Sequence, residues 1–83
     1  MTKENVFEKI QGIIAGAADL DKEEIQPDSN MVYDIGLSSV EMLSLLSTIE
    51  NEFSIRIPEK AIRTFVTIQD IVDYVSAESR EKA

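Results

Sequence analysis

Apolar side chains recur every three or four residues in three separate stretches of the chain, and this spacing predicts three amphipathic helices. The stretches are residues 3–17, residues 39–53 and residues 68 to about 79. The apolar positions are Val6, Phe7, Ile10, Ile13, Ile14 and Ala17 in the first, Leu43, Leu46, Ile49 and Phe53, widened by Met42 and Leu45, in the second, and Ile68, Ile71, Val72 and Val75 in the third.

The segments between these helices follow no sustained period. Residues 18–37 are predicted to form a long loop with one helical turn. Residues 59–65 are predicted to add one or two helical turns, because Pro58 is tolerated at the start of a helix. Five apolar side chains are expected to hold the long loop on the core: Leu20, Ile25, Met31, Val32 and Ile35.

These elements predict an all-α fold, a small four-helix bundle with three long helices and one short helix. We expect a single domain, 1–83, because a chain of 83 residues is the size of one small domain. Its ordered core is expected at about 3–78. Two helix starts carry capping boxes, which are Ser38 with Glu41 and Thr67 with Asp70.

The chain holds no cysteine and no histidine. Disulfides, thiol nucleophiles, thiolate metal sites and imidazole acid–base chemistry are therefore excluded, and we predict that the protein is not an enzyme. The acidic run that begins at Asp19 has Glu24 where a calcium loop needs glycine, and Asn30 where it needs a bidentate glutamate. We therefore predict no metal site.

The net charge of −8 lies in the middle of the chain. Residues 19–53 hold nine acidic residues against Lys22, whereas acidic and basic residues balance in the flanking segments. Because nucleic acids and anionic membranes repel such a surface, it favours basic protein partners, although acidic loops also serve solubility alone. No apolar run is long enough to span a bilayer and no signal peptide is visible, so we expect no membrane insertion and a cytoplasmic location.

The junction between the long loop and the second predicted helix presents two serines. If Ser38 is the N-cap, its hydroxyl accepts the N–H of Glu41, and Ser39 becomes the first helical residue. The positive end of the helix dipole favours an anionic group at Ser39, and Gly36 permits the close approach of a partner. Spacing alone leaves open that the two serines only cap the helix.

The segment 34–40, with the sequence DIGLSSV, resembles the phosphopantetheine attachment motif of acyl carrier proteins, which is usually written D-x-G-x-D-S-L. The resemblance covers residues 3–76, and it includes Glu50, Glu52, Phe53, Ile57, Pro58 and the segment 67–74. It implies an acyl carrier protein in which a phosphopantetheinyl transferase links 4′-phosphopantetheine from coenzyme A to Ser39. The thiol of that arm carries acyl groups as thioesters, which accounts for a thioester carrier without cysteine.

The resemblance also implies which residues meet partners and cargo. The family's second helix docks on basic patches of acyl-transferring, condensing or modifying enzymes. The candidates for partner recognition are Asp34, Leu37, Val40, Glu41, Met42, Glu50 and Glu52. The alternative for the carboxylates is a solvated helix face, and for Glu41 also a capping role. For Leu37, Val40 and Met42 the alternative is the hydrophobic staple and the core. The candidates for an acyl cavity are Leu45, Leu46, Ile49, Ile57, Ile62, Phe65 and Ile71.

Several positions depart from the family's pattern. Ser38 replaces the usual aspartate, Val40 replaces the usual leucine, and Ser44 and Asn51 stand where acidic residues are expected. Bulky cavity candidates favour short or polar cargo, or cargo left outside. A specialised, polyketide-like pathway is therefore predicted alongside fatty-acid biosynthesis, with a monomeric carrier. The alternative function is a carrier-like docking module that never accepts the arm.

Overall fold

Four α-helices make up most of the protein. The computed structural model describes residues 2–82, with side chains through residue 79, and Met1 and Ala83 lie outside the described residues. The helices are α1 (Lys3–Ala18), α2 (Ser39–Phe53), α3 (Glu59–Ile62) and α4 (Ile68–Lys82). Within residues 2–82 no strand forms. The predicted all-α bundle of three long helices and one short helix is confirmed.

The three long helices bury their apolar stripes in one core, and α1 packs against both α2 and α4. The Lys3 ammonium lies 3.0 Å from an Asp73 carboxylate oxygen, which joins the start of α1 to α4. Because such exposed ion pairs contribute little, apolar burial holds the helices together. The buried apolar side chains of the helices are Val6, Ile10, Ile14, Leu45, Leu46, Ile49, Ile68, Ile71, Val72 and Val75.

The long loop between α1 and α2 is tied to the start of α4 by backbone hydrogen bonds. The N–H of Met31 donates to the carbonyl of Val66 at 3.1 Å, and the N–H of Ile68 donates to the carbonyl of Ser29 at 3.2 Å. The loop contains a 3₁₀ turn at Lys22–Glu24, which confirms the predicted helical turn. The loop that leads into α2 is therefore held against the chain at the start of α4.

A glutamine on α1 holds the same loop from the other side. The Gln11 side-chain amide donates to the carbonyl of Lys22 at 2.8 Å and to the carbonyl of Ile25 at 2.9 Å. The side chains of Ile25 and Met31 are fully buried, as predicted. These contacts explain how a loop of this length keeps one path across the core.

Three apolar residues predicted to face the core are exposed instead. Leu43 is 60% exposed, because it lies about 100° round the helix from Met42 and thus off the buried stripe. Val32 is 55% exposed, because Asn30 turns the loop outward by accepting its N–H. Ala17 lies on the predicted face but lines an open groove between α1 and α2, where solvent reaches it. The core prediction is wrong for these three residues.

The last helix is longer than predicted, whereas the length of α3 lies within the prediction of one or two turns. The helix α4 continues to Lys82, beyond the predicted end and the expected ordered core, because the segment after residue 79 contains no glycine or proline. The helix α3 is a single turn that begins after Pro58. At the start of α4 the capping box is present: Asp70 N–H donates to Thr67 Oγ1 at 3.4 Å, and Thr67 N–H donates to Asp70 Oδ2 at 3.0 Å.

Candidate functional site at the start of helix α2

A hydrogen-bonded loop leads into α2. Asn30 Oδ1 accepts the N–H groups of Val32 and Tyr33, each at 2.9 Å, and Asp34 Oδ2 accepts the N–H of Asn30 at 2.6 Å. Gly36 has a φ of +82°, a left-handed conformation that glycine adopts without steric cost. These contacts fix the path of the chain immediately before the two serines.

Ser38 caps α2 with its side chain. Its hydroxyl oxygen accepts the N–H of Glu41 at 3.2 Å, and Glu41 Oε1 accepts the N–H of Ser38 at 2.9 Å. Both halves of the predicted capping box are therefore present. Hydrogen bonds from the backbone and then the hydroxyl of Ser38 hold the pKa of Glu41 below its ordinary value. The Ser38 hydroxyl is thus engaged in starting the helix.

Ser39 is the first residue of α2, and it is exposed where two surface depressions meet. One depression, of about 350 Å³, is lined by Val32, Leu37, Ser38, Ser39 and Met42. The other, which we call the Ser39 groove, has a volume of about 570 Å³ and is lined by Ser39, Met42, Leu43, Glu59, Ile62 and Arg63. A phosphate-linked arm fits this position, because the side chain is open and negative charge is favoured at a helix N-terminus.

The four carboxylates predicted to meet partners all have contacts within the chain. Two of them, those of Asp34 and Glu41, accept the backbone hydrogen bonds described above. Glu50 Oε2 accepts the N–H of Ile57 at 2.7 Å, which ties the end of α2 to the segment before α3. Glu52 lies 3.8 Å from the ammonium of a lysine on α1. Each carboxylate therefore has a structural contact, and its role in partner recognition stays a prediction.

The outward face of α2 carries no fully exposed charge between Glu41 and Glu52, because Glu50 is half-buried and accepts the N–H of Ile57. The exposed residues on this stretch are Leu43, Ser44, Ser47, Thr48 and Asn51. The acidic charge of the middle of the chain therefore lies mainly in the loop before α2, on Asp19, Asp21, Glu23, Glu24, Asp28 and Asp34. Carboxylates therefore lie at the two ends of α2 and in the loop before it, with a neutral strip between them.

The apolar candidates for partner recognition differ in their exposure. Val40 is 76% exposed and Met42 is half-buried, whereas Leu37 is only 4% exposed and belongs to the core. The burial of Leu37 supports the hydrophobic staple rather than an outward contact. The structure adds two exposed side chains that the sequence prediction missed, Leu43 and Tyr33. The helical period had assigned Leu43 to the core, and Tyr33 lies in a loop without a period.

The seven candidates for an acyl cavity lie in the core or against it. Leu45, Leu46, Ile49, Ile57 and Ile71 are buried in the core, and Ile62 and Phe65 are half-buried on its edge. The ring of Phe65 packs edge-on against Tyr74, with centroids 5.7 Å apart. Because Ile62 also lines the Ser39 groove, the groove extends from Ser39 to the edge of these side chains.

Two charged residues, at the start of α3 and directly after its end, were missed by the sequence prediction. Glu59 and Arg63 line the Ser39 groove, where Arg63 Nη2 lies 3.0 Å from Glu59 Oε1. Their spacing of four residues was a signal that they share one side of a helical turn. The sequence alone does not place that side near Ser39, because only the folded structure brings α3 to the groove beside α2.

Within the part of the chain that the structure describes, no helix is long and apolar enough to cross a membrane. Among the same residues, no group of three or more acidic side chains is arranged to hold a metal ion.

Residues 8–75 match the protein family described as the phosphopantetheine attachment site. The chain is 34% identical to an acyl carrier protein of Guillardia theta, over 92% of this chain and 94% of the relative. It is 33% identical to one of Clostridium acetobutylicum, over 92% and 99%, and 31% identical to one of Cyanidioschyzon merolae, over 90% and 82%. Members of the acyl carrier protein family carry covalently attached 4′-phosphopantetheine and interact with a phosphopantetheinyl transferase and with biosynthetic enzymes, and they are carriers rather than enzymes. The chain belongs to this family.

Proposed function

We propose that Ser39 is the residue to which 4′-phosphopantetheine is attached, and that the protein presents acyl groups on this arm to partner enzymes. The observation that carries the proposal is the division between the two serines. The hydroxyl of Ser38 is held by the capping box, whereas Ser39 stands exposed at the first position of α2. The terminal thiol of the arm supplies the thioester, a chemistry that a chain without cysteine lacks.

The attachment step places one demand on the chain, which is an accessible hydroxyl. Ser39 Oγ forms a bond to the phosphorus of the pantetheine phosphate, and the P–O bond to the nucleotide part of coenzyme A breaks. The nucleotide leaves with the bridging oxygen, and the serine proton passes to the transferase. Because the capping box already fixes the start of α2, Ser39 is presented without a change in the helix.

The pathway we propose is fatty-acid biosynthesis or a specialised, polyketide-like one, and the surface of α2 favours the second. The charged side chain of α2 between Glu41 and Glu52 is the half-buried Glu50, so this stretch offers few charges to a basic docking patch. Acyl-transferring, condensing or modifying enzymes of a dedicated pathway are therefore the proposed partners. We further propose a single-domain monomer located in the cytoplasm, and sedimentation of the modified protein tests the monomer.

Mass spectrometry of the intact protein tests the attachment. The purified protein without the arm is incubated with coenzyme A and a promiscuous phosphopantetheinyl transferase. We expect the mass to rise by one phosphopantetheine in the wild type and in Ser38→Ala, and to stay unchanged in Ser39→Ala. The Ser38→Ala variant is the matched control, because it removes the neighbouring hydroxyl and leaves Ser39 in place.

The possible outcomes distinguish an acyl carrier from a docking module that never accepts the arm. An added group that persists in Ser39→Ala would place the attachment at another residue. The absence of any added mass in the wild type would favour a docking module that never accepts the arm. Addition to the wild type and to Ser38→Ala alone supports the carrier with Ser39 as its attachment residue.

A further inference from the structure

Two residues of α3 and the residue that follows the helix form one side of the Ser39 groove. Glu59, Ile62 and Arg63 have the spacing i, i+3 and i+4, which places them on one face of the helical turn. Ser39, with Met42 and Leu43 of α2, forms the opposite side. Arg63 is the cation among the residues that line this groove, and it therefore shares a surface with the proposed attachment residue.

The ion pair that holds Arg63 in this position is easily exchanged. Arg63 Nη2 lies 3.0 Å from Glu59 Oε1, and the two side chains are 76% and 79% exposed. Exposed ion pairs gain little energy, since water screens both charges and ordering two long side chains costs entropy. The arginine can therefore leave Glu59 when a stronger acceptor comes within reach.

Charge around the groove favours a phosphate on the α3 side. Residues 54–66 carry Arg56, Lys60 and Arg63 against Glu59, whereas the net charge of −8 lies in residues 19–53. A phosphodiester at Ser39 would thus have acidic residues in the loop before it and Arg63 across the groove. A guanidinium group binds two phosphate oxygens through two parallel hydrogen bonds. This contact is stronger than a hydrogen bond to one oxygen of a carboxylate.

We propose that Arg63 is a positioning residue that exchanges Glu59 for the phosphodiester of the arm on Ser39. The inference rests on the proposed function, because it requires the arm to be attached at Ser39. In the protein without the arm, Glu59 holds the guanidinium beside the groove. In the modified protein, the guanidinium holds the phosphate end of the arm against α3, and the rest of the arm extends from a fixed origin.

The test compares wild type, Arg63→Gln, Arg63→Lys and Glu59→Gln, each with and without the arm, after intact mass has established its attachment. The first measurement is the NMR signal of the Arg63 Nε–H group. We expect it to shift on attachment of the arm in the wild type and in Glu59→Gln. The second is the change in the urea midpoint of unfolding that attachment produces. We expect this change to be greatest in Glu59→Gln and wild type, smaller in Arg63→Lys and smallest in Arg63→Gln.

Glu59→Gln is the informative control, because it separates a phosphate contact from a structural ion pair. If the ion pair only stabilises α3, Glu59→Gln and Arg63→Gln should lower the urea midpoint by similar amounts, and attachment of the arm should change the midpoint equally in both variants. That result would overturn the inference. An unchanged Arg63 Nε–H signal on attachment also overturns it. A wild type that gains no mass would remove the proposed function as well, so the two failures are distinguishable.

Discussion

The Ser38 hydroxyl accepts the backbone N–H of Glu41 at 3.2 Å, while the Glu41 carboxylate accepts the N–H of Ser38 at 2.9 Å. This reciprocal pair satisfies two backbone donors at the start of α2 that have no partner inside the helix. It also determines which serine is free. With Ser38 bound at the N-cap, Ser39 begins the helix and is exposed beside the groove that α2 and α3 form.

Removing the cap is expected to destabilise the protein while removing the neighbouring hydroxyl is not. Ser38→Ala should lower the free energy of unfolding by about 1 kcal/mol, because the N–H of Glu41 loses its acceptor. Ser39→Ala should change it by less than about 0.5 kcal/mol, because the side chain is exposed. Urea unfolding monitored by circular dichroism measures both, and the reverse order of the two effects would refute the capping register.

The lowered pKa of Glu41 predicts a contribution to stability that depends on pH. Since the folded pKa lies below the unfolded value of about 4.3, the contribution is present above that value and is lost as the pH falls through the folded pKa. Glu41→Gln keeps a capping acceptor but does not titrate. Its urea midpoint should therefore fall less than that of the wild type between about pH 6 and pH 3. An equal or larger fall in the variant would contradict the assignment.

The start of α2 was predictable because every contact that defines it is local. Ser38, Glu41 and the apolar stripe lie within a few residues of one another, so spacing alone identified the cap and the first helical residue. The same is true of Thr67 and Asp70 at the start of α4. The family resemblance added the chemistry, since spacing by itself left open that the two serines only cap the helix.

The parts that sequence reasoning missed depend on contacts between distant residues or on the phase of a helix. Leu43 was placed in the core by its spacing from Leu46, yet it lies at the edge of the stripe and is exposed. Gln11 lies off the apolar stripe of the first helix, and its spacing gives no sign that it binds two carbonyl groups of the loop. Arg63 meets the Ser39 groove only because α3 packs beside α2.

The hydrogen bonds of Gln11 predict a measurable loss of stability on truncation. Gln11→Ala leaves the carbonyls of Lys22 and Ile25 without this donor, and it should cost about 1–2 kcal/mol. Glu8→Ala, at an exposed position of the same helix, should change the free energy of unfolding by less than about 0.5 kcal/mol. Urea unfolding measures both variants, and equal effects would show that Gln11 does not hold the loop.

A buried serine on α4 predicts a substitution that stabilises the protein. The Ser76 side chain is 3% exposed, and its hydroxyl has no hydrogen-bond partner among the described residues. Ser76→Ala removes a buried polar group without a partner and raises helix propensity, so it should add about 1–2 kcal/mol to the free energy of unfolding. The exposed Ser47→Ala should add no more than about 0.5 kcal/mol, from propensity alone. A destabilised Ser76→Ala would mean that the hydroxyl has a partner.

Two exposed apolar side chains of α2 lie near the proposed attachment residue. Replacing them is predicted to slow attachment of the arm without changing the stability of the fold. Val40 is 76% exposed and Leu43 is 60% exposed, so Val40→Ser and Leu43→Ser should change the free energy of unfolding by less than about 0.5 kcal/mol. If the transferase covers this part of α2, each variant loses apolar burial in the complex. Since such truncations at an interface commonly cost more than about 1 kcal/mol, the kcat/KM for arm attachment should fall roughly fivefold to tenfold.

Initial rates of arm attachment, measured by intact mass at fixed transferase concentration, test this prediction. Ser47→Ala is the matched control, because it is exposed on the same helix two turns beyond Ser39 and should retain the wild-type rate. Glu52→Gln should lower the rate at low ionic strength only, since salt screens exposed charges. Wild-type rates in Val40→Ser and Leu43→Ser would show that the transferase approaches Ser39 from another side, with the loop at Val32 and Tyr33 as the remaining exposed apolar surface beside it.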